Sequence, residues 1–286
     1  MISLTQDLSY IAKVLRSDIV KSIGQVGVGH IGGSLSIVEL LAVLYFEEMN
    51  IDPKEPKKQG RDRLICSKGH AGPAVYAALA EKGYFERDVL WTLNQGGTHL
   101  PSHCDMNLTI GIDMTTGSLG QGFSCAVGAA LGSRLEQDGA TVYTIIGDGE
   151  SQEGQIWESA MFAGNYHLSN LIAFTDCNGL QVDGNVSDIG NLEPLADKWR
   201  AFGWNVIEIQ NGNDLEEVRD AVKKAKANRN SEKPTMVLLR TVKGYGVSFV
   251  EAKGAANHNA PFSKEDAIRA LDEIWGADSK EAEAWK

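Results

Sequence analysis

Apolar positions recur along the chain with two spacings, one helical and one of short unbroken runs. From about Leu4 to Ile23 the residues Leu8, Ile11, Ala12, Leu15, Ile19 and Ile23 fall at helical intervals with charges between them, which predicts an amphipathic helix. A second helix is expected from about Ser36 to Glu48, capped by Ser34 and packed through Val38, Leu41, Ala42, Leu44 and Tyr45. Between them Gly24 to Ser34 carries five glycines around His30, a composition expected to exclude regular structure and to let a ligand approach closely. Short runs at Arg61 to Cys66, Thr141 to Ile146, Leu171 to Thr175, Trp204 to Ile209 and Thr235 to Arg240 are bounded by turn residues and read as buried strands.

Helical patterns fill the intervals: Ala71 to Lys82, Glu86 to Leu93, Phe123 to Gln137, Ser187 to Phe202 packed through Leu192, Leu195, Trp199 and Phe202, Asp214 to Ala227, and Ser263 to Ile274. One more helix starts at the turn Gly147-Asp148-Gly149 with Ser151. It packs through Ile156, Trp157, Ala160, Met161, Ala163 and Gly164 and ends near Tyr166-His167. Strand alternating with helix predicts an α/β fold, a doubly wound and mainly parallel sheet of about five strands, as a single domain over residues 1–286. Ile51 to Arg63 reads as a polar surface loop, and Asn94 to Asp113 as a long irregular loop, a kind that is usually functional in a compact domain.

Composition narrows the partners. A net charge of −11 argues against nucleic acid, so an anionic ligand would have to be held by local geometry and a metal. Cys66, Cys104, Cys125 and Cys177 show no paired spacing and read as reduced thiols of a cytoplasmic protein. Charges interrupt the first apolar segment, so no signal pattern is expected, and no run reaches the length of a membrane span.

The central β-α-β unit carries the strongest chemistry. Asp148 follows one strand and Asn178 the next, 178 − 148 = 30 positions later, so both are expected at the carboxyl edge of a parallel sheet, where such folds bind ligands. A carboxylate, an amide oxygen and a main-chain oxygen suit a hard cation such as Mg²⁺ that also takes oxygens from a bound phosphate. Gly147 and Gly149 let the backbone come near a diphosphate, and a helix N-terminus adds N–H donors. The plainer reading of Gly-Asp-Gly is a tight turn with a capping Asp.

Gly-Asp-Gly followed about thirty residues later by Asn resembles the thiamine diphosphate motif. The wording GDGESQEGQIWESAMFAG and then DCNGLQVDG is similar to the transketolase family. That resemblance implies a thiamine diphosphate-binding fold of the diphosphate type. It implies Asp148, the Asn178 side chain and the Leu180 carbonyl as ligands of Mg²⁺, or of Ca²⁺ or Mn²⁺, with Gly149 and Asn178 on the diphosphate. GHIGGSLS resembles the family's Gly-His-Pro-Gly loop, with Ile31 in place of Pro, which makes His30 a site residue. Ser-Lys-Gly-His after Arg-Asp-Arg implies a cofactor-facing His70. Within the long loop His103 matches a further family histidine, with His99 as the alternative register. Thr116 to Gly122 resembles the cofactor loop, implying main-chain contacts from Gly117 and Leu119. Asn257-His258-Asn259 implies His258, with Asn259 where the family has Gly, and Glu153 is implied at the cofactor-side interface. His30, His70, His103 and His258 are the implied catalytic histidines.

The small residues Ala126, Gly128, Ala129, Ala130 and Gly132 of the Phe123 helix fit either internal packing or, by the resemblance, a subunit interface. In the family the glutamate that activates the cofactor lies on a separate pyrimidine-binding domain, for which five strands and their helices leave no room. The expected function is therefore the N-terminal subunit of a split transketolase, moving a two-carbon ketol unit from a ketose to an aldose in an α₂β₂ assembly. The alternatives are an α subunit of a two-oxoacid dehydrogenase, a deoxyxylulose phosphate synthase type, or a non-catalytic module that keeps the fold.

Overall fold

The computed structural model describes residues 7–277 and 279–285, so Leu4, the expected start of the first helix, lies outside the described residues. Five strands form one sheet: β1 (Arg63–Cys66), β2 (Val142–Gly147), β3 (Leu171–Cys177), β4 (Asn205–Ile209) and β5 (Thr235–Arg240). Their order is β1-β2-β3-β5-β4 and every pairing is parallel. The expected doubly wound sheet is what the chain forms.

Alternation along each strand sends side chains to two cores, because successive residues of a strand face opposite ways. Tyr143, Ile145, Ile172, Phe174, Val237 and Leu239 face one layer, built from α1 (Leu8–Val26), α3 (Val38–Val43), α4 (Gly72–Lys82), α9 (Leu215–Ala227), the short α10 (Ser248–Glu251) and α11 (Lys264–Trp275). Val142, Ile146, Leu171, Ala173, Met236 and Leu238 face the other, built from α5 (Gln121–Glu136), α6 (Gly154–Asn165) and α8 (Leu195–Ala201). Phe174 is wholly buried, and truncating such a ring to alanine costs about 3–5 kcal/mol. No helix among the described residues is long and apolar enough to cross a membrane.

Four local expectations are corrected. The glycine-rich stretch is not irregular: α1 continues through Gly24 to Val26, since a Cβ at Gly24 would lie 2.7 Å from the Ala267 Cβ of α11 and glycine alone permits that contact. Ile31–Leu35 is itself a short helix, α2, in which Ser34 is buried and donates to the His30 carbonyl at 2.8 Å rather than capping the next helix. The expected helix from Ser187 to Phe202 is two, α7 (Val186–Gly190) and α8, separated by a segment that ends at Pro194, which has no N–H to donate. Met161 of α6 is exposed instead of packed. Ser263 and Asp266 do form a capping box at the start of α11.

Candidate active site at the carboxyl edge of the sheet

Chain segments leaving β1, β2, β3 and β5 at their carboxyl ends surround an open cleft. It is lined by His70, Leu119, Asp148, Gly149, Glu153, Asn178, Leu180 and His258 from the expected set, together with Lys68, Glu150, Asp176 and Lys243.

Two local devices bring the histidines together. Val28 and Gly29 pair antiparallel with Pro261 and Ala260, which sets His30 beside His258 although 228 positions separate them (258 − 30). The loop bearing His103 is tied down by the Thr116 N–H on the Cys104 carbonyl at 3.0 Å, and the buried Tyr76 hydroxyl lies 2.9 Å from the His103 carbonyl. Ring centroids then lie 5.4 Å apart for His30 and His70, 5.3 Å for His30 and His103, 5.4 Å for His30 and His258, and 4.7 Å for His70 and His258. His103 joins this cluster; His99 is exposed, its carbonyl accepting from Thr109. Gly117 abuts His103, where an added Cβ would sit 3.4 Å from the ring.

All four rings are pushed toward the neutral form. Burial first, then His103 and Lys243, push His30 down to about 4, and burial, Lys243 and His30 do the same for His258. Burial and Lys68 lower His70 well below its usual value, and burial lowers His103. Lys243, itself brought down to about 8 by burial and by Lys68, lies 3.2 Å from His258 Nδ1. An ammonium can only donate, so Nδ1 accepts and the N–H of this imidazole is at Nε2.

Opposite the histidines lie the oxygen donors. Asp148 is 6% exposed; it accepts the Gly149 N–H at 2.8 Å and the Gly179 N–H at 2.6 Å, and makes no ion pair among the described residues. Burial and the neighbouring Asp176 raise its pKa to about 6. A buried carboxylate without a counter-ion, next to the Asn178 amide and the Leu180 carbonyl, suits a hard cation, and Lys243 Nζ already stands 3.3 Å from that carbonyl. Among the described residues no group of three or more His, Cys, Asp or Glu could hold a metal, so these three oxygens would need a ligand such as a diphosphate to complete the shell.

Four buried polar residues escaped the sequence reading. Glu150 joins three loops: one oxygen accepts from Ser67 Oγ and from the Gly120 N–H at 2.9 Å, the other from the Gly147 N–H at 3.0 Å. Lys68 and Asp176 form an ion pair at 2.6 Å with side chains 2% and 0% exposed. Lys243 is the fourth. An Asp inside the apolar run FTDC was the available signal, since a charged residue within such a run must find partners.

A family model described as transketolase, thiamine diphosphate binding domain, matches residues 6–284. The 6-deoxy-6-sulfo-D-fructose transketolase subunit of Clostridium sp. (strain MSTE9) is 58% identical over 94% of this chain and 96% of that one. An apulose-4-phosphate transketolase subunit of Phocaeicola vulgatus is 37% identical over 90% of this chain and 91% of that one. Transketolase from Leishmania mexicana superposes with a TM-score of 0.87 and 30% identity, over 98% of this chain and 44% of that one.

Proposed function

The chain belongs to the transketolase family as its thiamine diphosphate-binding part, and from that premise we propose that it works with a pyrimidine-domain partner to move a two-carbon ketol unit from a ketose to an aldose. The observation that carries this is the near-complete match, at 58% identity, to a relative that is itself named a transketolase subunit. The clustering of His30, His70, His103 and His258, two of which (His70 and His258) line the cleft holding Asp148 and Asn178, supports it.

Asp148, Asn178 and the Leu180 carbonyl would hold Mg²⁺ or a similar divalent ion, with Gly149 and Asn178 on the diphosphate and the main chain of Gly117 and Leu119 against the rest of the cofactor. The chemistry supplied by bound thiamine diphosphate is a carbon nucleophile for the ketose carbonyl and a cationic ring that takes up the electron pair as the carbon–carbon bond breaks. The protein's part is proton handling and orientation. Neutral imidazoles can donate through one nitrogen and accept through the other, so His30, His70, His103 and His258 hold sugar hydroxyls and move a proton at the carbonyl oxygen as charge develops there. His258, whose tautomer is set by Lys243, is a donor toward that oxygen. Lys243 adds positive charge near the diphosphate.

The partner surface fits α5 and α6. A Cβ at Gly128 or Gly132 would meet nothing within 4 Å, and Leu135, Met161, Phe162 and Tyr166 are exposed nearby. An open face of small and apolar residues favours docking of a second protein over internal packing, within a cytoplasmic α₂β₂ assembly in which the chain acts as one domain and Glu153 faces the partner. The relatives point to a ketose with an anionic far end, sulfonate or phosphate, and the higher identity puts the sulfonated hexulose first. The test is reconstitution with the pyrimidine-domain subunit, thiamine diphosphate and Mg²⁺. Mass spectrometry should show 6-deoxy-6-sulfo-D-fructose losing C1 and C2 to an aldose phosphate and leaving a four-carbon sulfonated aldose. Undiminished turnover by the chain without its partner would refute the two-subunit reading, and exclusive use of ketose phosphates would refute the choice of donor.

A further inference from the structure

We propose that Asp176 is a positioning residue that fixes which way the Asn178 amide faces, and thereby makes its oxygen available to the metal. The inference rests on the reading of Asp148 and Asn178 as metal ligands. Asp176 lies near the end of β3 and Asn178 two residues on, so in the strand's period both side chains leave on the same side. Its Oδ2 accepts from Lys68 Nζ at 2.6 Å, Ser36 Oγ at 2.6 Å and Asn178 Nδ2 at 2.8 Å, and its Oδ1 accepts from Thr241 Oγ1. These donors come from the segment after β1, from the turn between α2 and α3, and from the segment after β5. The carboxylate therefore cannot turn without breaking contacts to three other parts of the chain.

An ionised carboxylate only accepts, so the group that faces it across 2.8 Å has to be the amide NH₂. A flipped Asn178 would bring two acceptor oxygens together in a buried place. The amide oxygen is thus held on the far side, where it takes the Leu180 N–H at 3.0 Å and keeps a second lone pair. The Lys68 ammonium and the Ser36 and Thr241 hydroxyls place donors on both oxygens of Asp176, the arrangement that suits an ionised carboxylate. Lys68 also neutralises it, so Asp148 remains the carboxylate offered to the ion.

Groups that orient metal ligands are worth about 10- to 100-fold in affinity. Asp176→Ala removes the acceptor that holds the Asn178 NH₂ and so releases the constraint on Asn178, whereas in Asp176→Asn the Lys68 ammonium would keep an oxygen in that place. The measurement is calorimetric titration of Mg²⁺ into the full chain, purified with its partner, at fixed thiamine diphosphate. Expected is a Mg²⁺ half-saturation raised by about 10- to 100-fold in Asp176→Ala and much less in Asp176→Asn, with cofactor uptake returning toward the unsubstituted level once Mg²⁺ is saturating. Ile172→Val, a core truncation on the same strand, should lower thermal stability and leave half-saturation where it was. If the unsubstituted protein takes up cofactor with Mg²⁺ and Asp176→Ala half-saturates within about twofold of it, the positioning role is overturned while the site reading stands. If the unsubstituted protein takes up no Mg²⁺ with the cofactor, the site reading falls and this inference with it.

Discussion

Replacing Glu150 separates two effects that the structure places in one side chain. The carboxylate is 3% exposed and serves three donors: Ser67 Oγ, the Gly120 N–H and the Gly147 N–H. Alanine would leave all three without an acceptor. A buried donor left unpaired costs about 1–3 kcal/mol, and water entering the gap recovers part of it, so Glu150→Ala should lose about 4 kcal/mol. Glutamine keeps the shape and one acceptor oxygen, so a single donor, the Gly147 N–H, meets an NH₂ instead. It also removes a buried charge, and burial already raises the Glu150 pKa despite the donors from Ser67, Gly120 and Gly147, so relief of that charge offsets part of the loss. The net for Glu150→Gln is about 1 kcal/mol. At about 2–4 °C per kcal/mol, calorimetry should find Tm lowered by about 8–16 °C for alanine and about 2–4 °C for glutamine. Alanine as mild as glutamine would show that the loops do not depend on this acceptor. Glutamine as damaging as alanine would show that charge, not the number of hydrogen bonds, is what matters.

Arg87 bridges the buried carboxylates of Asp18 and Glu81, so Arg87→Met should cost about 3–5 kcal/mol in urea unfolding near pH 8. Burial lifts Asp18 from 3.8 to about 7; a raised carboxyl pKa gives stability that is present below the unfolded value and lost as pH rises through about 7. The variant's deficit should therefore shrink at acid pH, and an equal deficit near pH 8 and pH 5 would contradict the assignment. His30 and His258, held near 4, should give neutral imidazole ¹⁵N signals at about pH 5.5, and the stability linked to them should decline as pH falls from about 6.5 through about 4; charged rings at that pH would sink the electrostatic account. Gly164→Ala would put a Cβ 1.9 Å from the Phe202 carbonyl oxygen, so a loss of at least about 3 kcal/mol is expected, whereas Gly128→Ala, on open helix surface, should gain about 0.5–1 kcal/mol. Matched thermal melts of the two would decide it.

What the sequence disclosed, and what it withheld, follows from the range of each interaction. The five strands were legible because a buried parallel strand is a short apolar run closed by turn residues, and Thr235–Arg240 was delimited to the residue. Asp148 and Asn178 could be placed at one edge because strand and turn spacing is local. His30, His70, His103 and His258 come from four separated loops, and periodicity holds nothing about which loops converge; only the resemblance pointed to them. Glycine misled at Gly24, where close packing of two helices outweighs low helix propensity. Asp176 inside the apolar run FTDC signalled a buried partner, but with 108 positions between them (176 − 68) nothing in the sequence said that the partner was Lys68.

The two-residue ladder between Val28–Gly29 and Ala260–Pro261 has a consequence for synthesis. A ribosome releases the segment bearing His30 long before the one bearing His258, and until Pro261 has emerged from the exit tunnel the earlier segment has no strand to pair with. Assembly of the His30–His258 pair is thereby deferred until that segment is made, so a chain stalled short of it carries an incomplete histidine cluster.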